Sequence, residues 1–214
     1  MFYSFELEQY LGELLPARNE LLNEMESQSL KETIPVVTPP VGNFLALLIK
    51  MSKAEDILEI GTAIGYSTLW LAQDLEGRTG HITTIDLNID RAKRAIEYFK
   101  RAGIEDRIDV LFGDARRIIP TLEKKFDFVF VDAAKGEYLD YLSLVLPRIS
   151  PGGILVVDNV LFRGWVVPGE KFAPKYNRMV THLREFLSKL TQNPDFQTSV
   201  LPFGDGISVS FRIK

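Results

Sequence analysis

The sequence contains no cysteine and only two histidines. The first absence excludes disulfides, thiolate metal sites and cysteine nucleophiles. The second leaves little material for imidazole-bound zinc, so any metal here would be hard and oxygen-bound. No apolar run approaches the length needed to cross a bilayer, and the first ten residues carry acidic rather than basic side chains, unlike a secretory leader. The expectation is a soluble, cytoplasmic protein with no membrane partner. Internal repeats and low-complexity tracts are also missing. The 25 Lys and Arg fall short of the 29 Asp and Glu, a formal net charge of -4. That balance argues against a surface built wholly to hold nucleic acid, although it leaves room for a local basic patch.

What is there is 214 residues, 46% of them hydrophobic, enough for one substantial core and short for two. The chain reads as one domain over 1–214, with N-terminal helices over 1–51 and an α/β core over 52–214. Over residues 2–30, Phe5, Leu7, Leu11, Leu14, Leu15, Leu21, Leu22 and Met25 recur at three- and four-residue spacing, broken by Pro16. This predicts two amphipathic helices. A turn-like stretch with Pro35, Pro39 and Pro40 follows, then a helix over 42–51. From Ser52 onward, β-rich runs at 57–60, 81–86, 108–112, 126–131 and 154–157 alternate with helical segments. Their near-continuous Val, Ile, Leu and Phe predict parallel strands covered on both faces, a doubly wound, Rossmann-like α/β sheet. Residues 171–190 predict a long helix, and strands over 198–201 and 207–213, joined through Gly204-Asp205-Gly206, predict a hairpin on the sheet edge.

In such a sheet, ligands bind outside the carboxyl ends of the strands near the switch point. The first strand-to-helix turn reads Glu59-Ile60-Gly61-Thr62-Ala63-Ile64-Gly65-Tyr66-Ser67. Gly61 permits a sharp turn, and small residues at Ala63 and Gly65 admit close approach of a ligand to the backbone. A nicotinamide-binding turn would be G-x-G-x-x-G, and this spacing is absent. The alternation of Gly61, Ala63 and Gly65 after Glu59 resembles instead the first motif of class I methyltransferases. Asp86, at the end of the second run, is placed to accept both hydroxyls of a ribose, and Asp114, after the third, to accept from an adenine amino group. Taken singly, each reads equally well as a helix cap; together, after successive strands, they describe a nucleoside site.

The fourth run ends in Asp132-Ala133-Ala134-Lys135 and the fifth in Asp158-Asn159. Adjacent parallel strands would bring the two carboxylates to one rim, where like charges repel unless a cation lies between them. Two carboxylates and the Asn159 carbonyl suit a hard divalent ion, magnesium by default, with manganese and calcium as alternatives. Helix capping is the competing reading of Asp132 and Asp158. Lys135 would stand beside that cation, which disfavours its ammonium form and makes it a candidate general base; taken alone it reads as a surface lysine.

The segments L-E-I-G-T-A-I-G-Y-S at 58–67, V-D-A-A-K-G at 131–136, P-G-G at 151–153 and D-N-V-L at 158–161 resemble, in order, the cation-dependent O-methyltransferase family that includes catechol and caffeoyl-CoA O-methyltransferases. The resemblance implies a class I methyltransferase fold, seven strands with an antiparallel C-terminal hairpin, S-adenosylmethionine (SAM) as cofactor, and a homodimer. It implies that Asp132, Asp158 and Asn159 bind the metal and that Asp132 and Lys135 are catalytic. Val37, Glu59, Gly61, Gly65, Ser67, Asp86, Asp114, Ala115 and Asp132 would line the cofactor. Within the family, the stretches 158–164, 174–175, 193–198 and 204–206 are most similar to the bacterial tRNA 5-hydroxyuridine methyltransferases. This implies a tRNA anticodon region as partner, with Arg163, Lys171, Lys175, Arg178 and Arg184 touching phosphates. A small catechol-like acceptor is the alternative, and those basic residues then read as an ordinary solvated face.

Overall fold

The computed structural model describes residues 5–73, 75 and 79–214. Residues 2–4 of the predicted first helix lie outside the described residues. The strands are β1 Asp56–Ile60, β2 His81–Asp86, β3 Ile108–Phe112, β4 Phe126–Val131, β5 Ile149–Val157, β6 Phe196–Leu201 and β7 Ile207–Arg212. They form a seven-stranded sheet of order β3-β2-β1-β4-β5-β7-β6. The pairings among β1 to β5 are parallel, and β7 runs antiparallel to both β5 and β6. This is the class I methyltransferase fold, with the predicted hairpin at the edge.

Side chains alternate between two cores because successive strand residues point to opposite faces. On one face Phe128, Phe130 and Val156 pack with Leu45, Ile49, Leu71 and Phe99, from helices α3 Pro39–Ser52, α4 Tyr66–Ala72 and α5 Ile89–Ala102. On the other, Leu58, Val129, Val131 and Leu155 pack with Leu142, Val145, Leu183 and Phe186. These come from α7 Tyr138–Val145 and α8 Asn177–Thr191, while α6, Ala115–Ile118, is a single turn after β3.

The N-terminal part contains α1 Phe5–Glu13 and α2 Glu20–Glu32. Asn19 caps α2 by accepting from the Leu22 N–H at 2.9 Å. A polar ladder ties α2 to α5: Arg101 to Glu24, Tyr98 to Gln28 and Arg94 to Glu32. The segment that leaves α2 carries Pro35, Val36 and Val37 across the sheet's carboxyl edge.

Three boundaries differ most from expectation, while β1, β6 and β7 shift by one or two residues. Pro39 and Pro40 open α3 rather than ending a turn, because the first helical N–H groups have no intrahelical partner to lose. β5 begins at Ile149 and runs through Pro151-Gly152-Gly153, with a register irregularity opposite Phe126 and Phe128. The expected helix over 171–190 starts only at Asn177, after a 3-10 turn at Pro174–Tyr176, since Pro174 has no N–H to extend a helix backward.

Candidate active site

The chain winds from β1 through β2 to β3, then returns to β4 on the other side of β1, so the switch point lies between β1 and β4. A cavity of about 370 Å³ opens there, within the size range usual for small-ligand sites. Gly61, Ser67, Asp86, Asp114, Ala115, Val37, Asp132, Lys135 and Asn159 all line it. Asp86 and Asp114 come from the β2 and β3 ends and Asp132 from β4, so the cavity runs from a nucleoside-type end to an acidic rim.

Gly61 sits at φ +107, and a Cβ there would run into the Asp132 backbone carbonyl. The β1 and β4 ends therefore approach more closely than any side chain at 61 would allow. Asp86 accepts from the Ala63 N–H at 2.7 Å and from the Asn88 N–H at 2.7 Å. It ties two loops together, while Asn88 does the capping of α5. Asp114 is both wall and cap: it accepts from the Arg116 N–H at 2.9 Å, and the Arg116 guanidinium holds its carboxyl down at about 2.

Two expected cofactor residues stand behind the wall. Glu59 is fully buried and accepts from Ser67 at 2.6 Å, Thr68 at 2.5 Å and Thr84 at 2.6 Å. Its burial pushes the carboxyl up to about 7 against the pull of those three hydroxyls. Glu59 thus organises Ser67 and the turn from below rather than lining the cavity. Gly65 starts α4 at φ +86, and a Cβ there would lie 2.5 Å from the Phe99 ring, so its smallness serves helix packing instead of ligand approach.

At the acidic rim, Asp132 N–H donates to Ile60 O at 2.9 Å and Asp158 N–H to Val131 O at 3.0 Å. Consecutive strands in the β1-β4-β5 order thereby present both carboxyls at one edge. Asp132 faces the cavity but is otherwise enclosed, and desolvation raises its carboxyl while the Lys135 charge opposes this. Asp158 is buried and also raised, by desolvation first and then by the Asp132 charge. Its Oδ1 accepts from the Asn159 N–H at 2.6 Å. Asn159 adopts φ +56, a left-handed conformation that Asn tolerates better than most residues. Lys135 donates from Nζ to Asn159 Oδ1 at 2.8 Å, so a cationic group already rests on this donor set. Two desolvated carboxylates and an amide oxygen fit a hard divalent ion. Among the described residues no three His, Cys, Asp or Glu side chains gather as a metal site; the third donor here is an amide.

With this geometry in place, comparison with known proteins is decisive. A family profile described as O-methyltransferase matches residues 13–213. The chain belongs to the SAM-dependent O-methyltransferases. It is similar to a caffeoyl-CoA O-methyltransferase from Medicago sativa, 31% identical over 100% of this chain and 91% of that protein. Among solved structures it resembles the O-methyltransferase from Bacillus cereus in complex with SAH, with TM-score 0.84, 28% identity and 97% of each chain covered. It also resembles the O-methyltransferase TomG from Streptomyces achromogenes, involved in tomaymycin synthesis and in complex with SAM. There the TM-score is 0.86 and the identity 29%, over 98% of this chain and 96% of that one.

The O-methyltransferase also has site residues that sequence reasoning missed. Thr62, Thr68 and Thr84 are buried, and Thr62 and Thr84 share a hydrogen bond of 2.6 Å beneath the turn. Hydroxyls flanking a strand-end glutamate were the available signal. Beyond the acidic rim, Arg184 is not a phosphate ligand in waiting: its guanidinium donates to the carbonyl oxygens of Val166, Trp165 and Val167. Arg163, Lys171, Lys175 and Arg178 are exposed. Arg163 lies over the Trp165 ring and Lys175 over the Tyr176 ring, in a cluster where Phe162 and Phe172 also contact Trp165. Among the described residues no helix is long and apolar enough to cross a membrane.

Proposed function

We propose that this O-methyltransferase is metal-dependent and transfers the SAM methyl group to one of two adjacent oxygens on a planar acceptor. The observation that carries this reading is the rim itself: Asp132, Lys135 and Asn159 line the cavity that would hold the nucleoside, and buried Asp158 adjoins Asn159 at the same strand edge. A divalent cation bound there would chelate the two oxygens and acidify the hydroxyl to be methylated. Asp132 lies on both the cavity wall and the rim, so it fixes the distance between cofactor and acceptor. With a cation bound at the rim, the Lys135 ammonium would be displaced from Asn159 Oδ1 and its charged form disfavoured; the neutral amine would then be placed to receive the acceptor proton as the oxygen attacks the sulfonium methyl in line.

A small acceptor of the catechol or caffeoyl-CoA type is the first reading, supported by curated relatives such as the Medicago sativa enzyme, similar over the whole chain. A second reading is 5-hydroxyuridine at the wobble position of tRNA, whose 5-hydroxyl and 4-carbonyl present two adjacent oxygens in the same way. Exposed Arg163, Lys171, Lys175 and Arg178 after β5 favour it, because such cations suit a phosphate backbone.

The test is methyl transfer from labelled SAM, with magnesium or with chelator, to caffeoyl-CoA, to a simple catechol and to tRNA bearing 5-hydroxyuridine. Chelator-sensitive labelling of the small acceptors, with none of the tRNA, would support the first reading. A far higher specificity constant on tRNA, falling steeply with salt, would support the second. Turnover unaffected by chelator would defeat the metal assignment in both.

A further inference from the structure

Two strands separate β3 from β4 in the sheet, yet the loops that follow them meet across the cavity through one side chain. Arg116 Nε donates to Asp114 Oδ1 at 3.0 Å and Nη2 to Oδ2 at 2.8 Å. On its other side, Nη1 lies 3.2 Å from Glu137 Oε1, in the turn that begins with Lys135. Tyr141 OH donates to the other Glu137 oxygen at 2.5 Å, so the far anchor is itself held. Asp114, Arg116, Glu137 and Tyr141 all line the cavity.

A carboxylate has about four acceptor positions. Three Arg116 hydrogens serve Asp114: the backbone N–H on Oδ1, the single Nε hydrogen shared between Oδ1 at 3.0 Å and Oδ2 at 3.2 Å, and an Nη2 hydrogen on Oδ2. Three hydrogens on about four positions leave one acceptor open. Because the guanidinium is a planar fork braced on Glu137, it fixes the rotation of the carboxylate and hence the direction of that last acceptor.

We propose that Arg116 is a positioning residue that aims the remaining Asp114 acceptor into the cavity and so selects a nucleoside bearing an exocyclic 6-amino group over its 6-oxo counterpart. A 6-oxo purine would set an acceptor against an acceptor, leaving a desolvated carboxylate oxygen without its donor. The inference rests on reading the cavity as the cofactor site.

The experiment uses the intact chain and isothermal titration with S-adenosylhomocysteine and with S-inosylhomocysteine, its 6-oxo analogue. Wild type should prefer the adenosyl compound by tenfold or more. Arg116→Ala should lose about tenfold in affinity for the adenosyl compound and little for the inosyl one, bringing the preference toward unity. Arg116→Lys, a point charge that cannot hold both oxygens, should keep only part of the preference. In turnover, the Arg116→Ala loss should fall on KM for SAM more than on kcat. The proposal is overturned if wild type shows no preference, if Arg116→Ala retains it, or if the variant weakens both compounds equally, which would make Arg116 a brace between loops only. Wild type that binds neither compound would remove the cofactor reading along with the proposal.

Discussion

The Lys135 amine rests on the side-chain oxygen of Asn159 at 2.8 Å, which joins the candidate base to the candidate metal ligands in one hydrogen bond. A group placed to take a proton in the transition state contributes about 10²- to 10⁴-fold to rate. Lys135→Ala should therefore lower kcat by about that factor, with a much smaller change in affinity for S-adenosylhomocysteine. Steady-state kinetics paired with calorimetry measures both, and an unaltered kcat would return Lys135 to the surface.

Metal removal follows from the same rim. Chelator should abolish methyl transfer, and added magnesium should restore it. Asp158→Asn and Asn159→Ala should each raise the magnesium concentration needed for half-maximal activity by at least about tenfold, the scale at which ligand-shell changes act. Identical magnesium titrations for wild type and variants would count against the assignment.

Gly61→Ala should be severe. A side chain at φ +107 is strained, and this one would also press on the Asp132 carbonyl, a backbone atom that cannot rotate away. We expect a loss of about 2–4 kcal/mol in stability, read from urea unfolding, together with weakened cofactor binding. A variant as stable as wild type would show that β1 and β4 separate easily.

Glu59 should make stability depend on pH. Its carboxyl is raised from 4.5 to about 7, so the folded protein holds a proton that the unfolded chain releases. The resulting stabilisation is present in full below about 4.5 and is lost as pH rises through about 7, a change on the order of 3 kcal/mol. Urea midpoints measured from pH 4.5 to 8 should fall less steeply for Glu59→Gln than for wild type. Parallel curves would mean that Glu59 remains ionised on folding.

Much of this molecule is local in origin and therefore legible in the sequence. The runs at 81–86, 108–112 and 126–131 match β2, β3 and β4 at both ends, because strands buried on both faces carry unbroken apolar side chains. The placement of Asp132 and Asp158 at one edge was legible as well, since each directly follows a strand, with Lys135 and Asn159 in the loops just beyond, and adjacent parallel strands put their ends on one rim.

What the sequence determined by itself was thus the strand pattern, the doubly wound class of the sheet and the residues delivered to the carboxyl edge. The tertiary structure alone decided how those residues are used. Pro151-Gly152-Gly153 lies outside the apolar run at 154–157, but pairing of Ile149 with Phe126 draws it into β5. Glu59 reads as a cofactor ligand, yet hydroxyls from α4 and β2 enclose it. Arg184 reads as a phosphate contact, but carbonyls at 165–167 claim its guanidinium, and Arg116 reaches Glu137 only because α6 and α7 pack together. Hydrogen bonding is decided by which groups meet in space, and for these side chains the partners are brought in by distant parts of the chain.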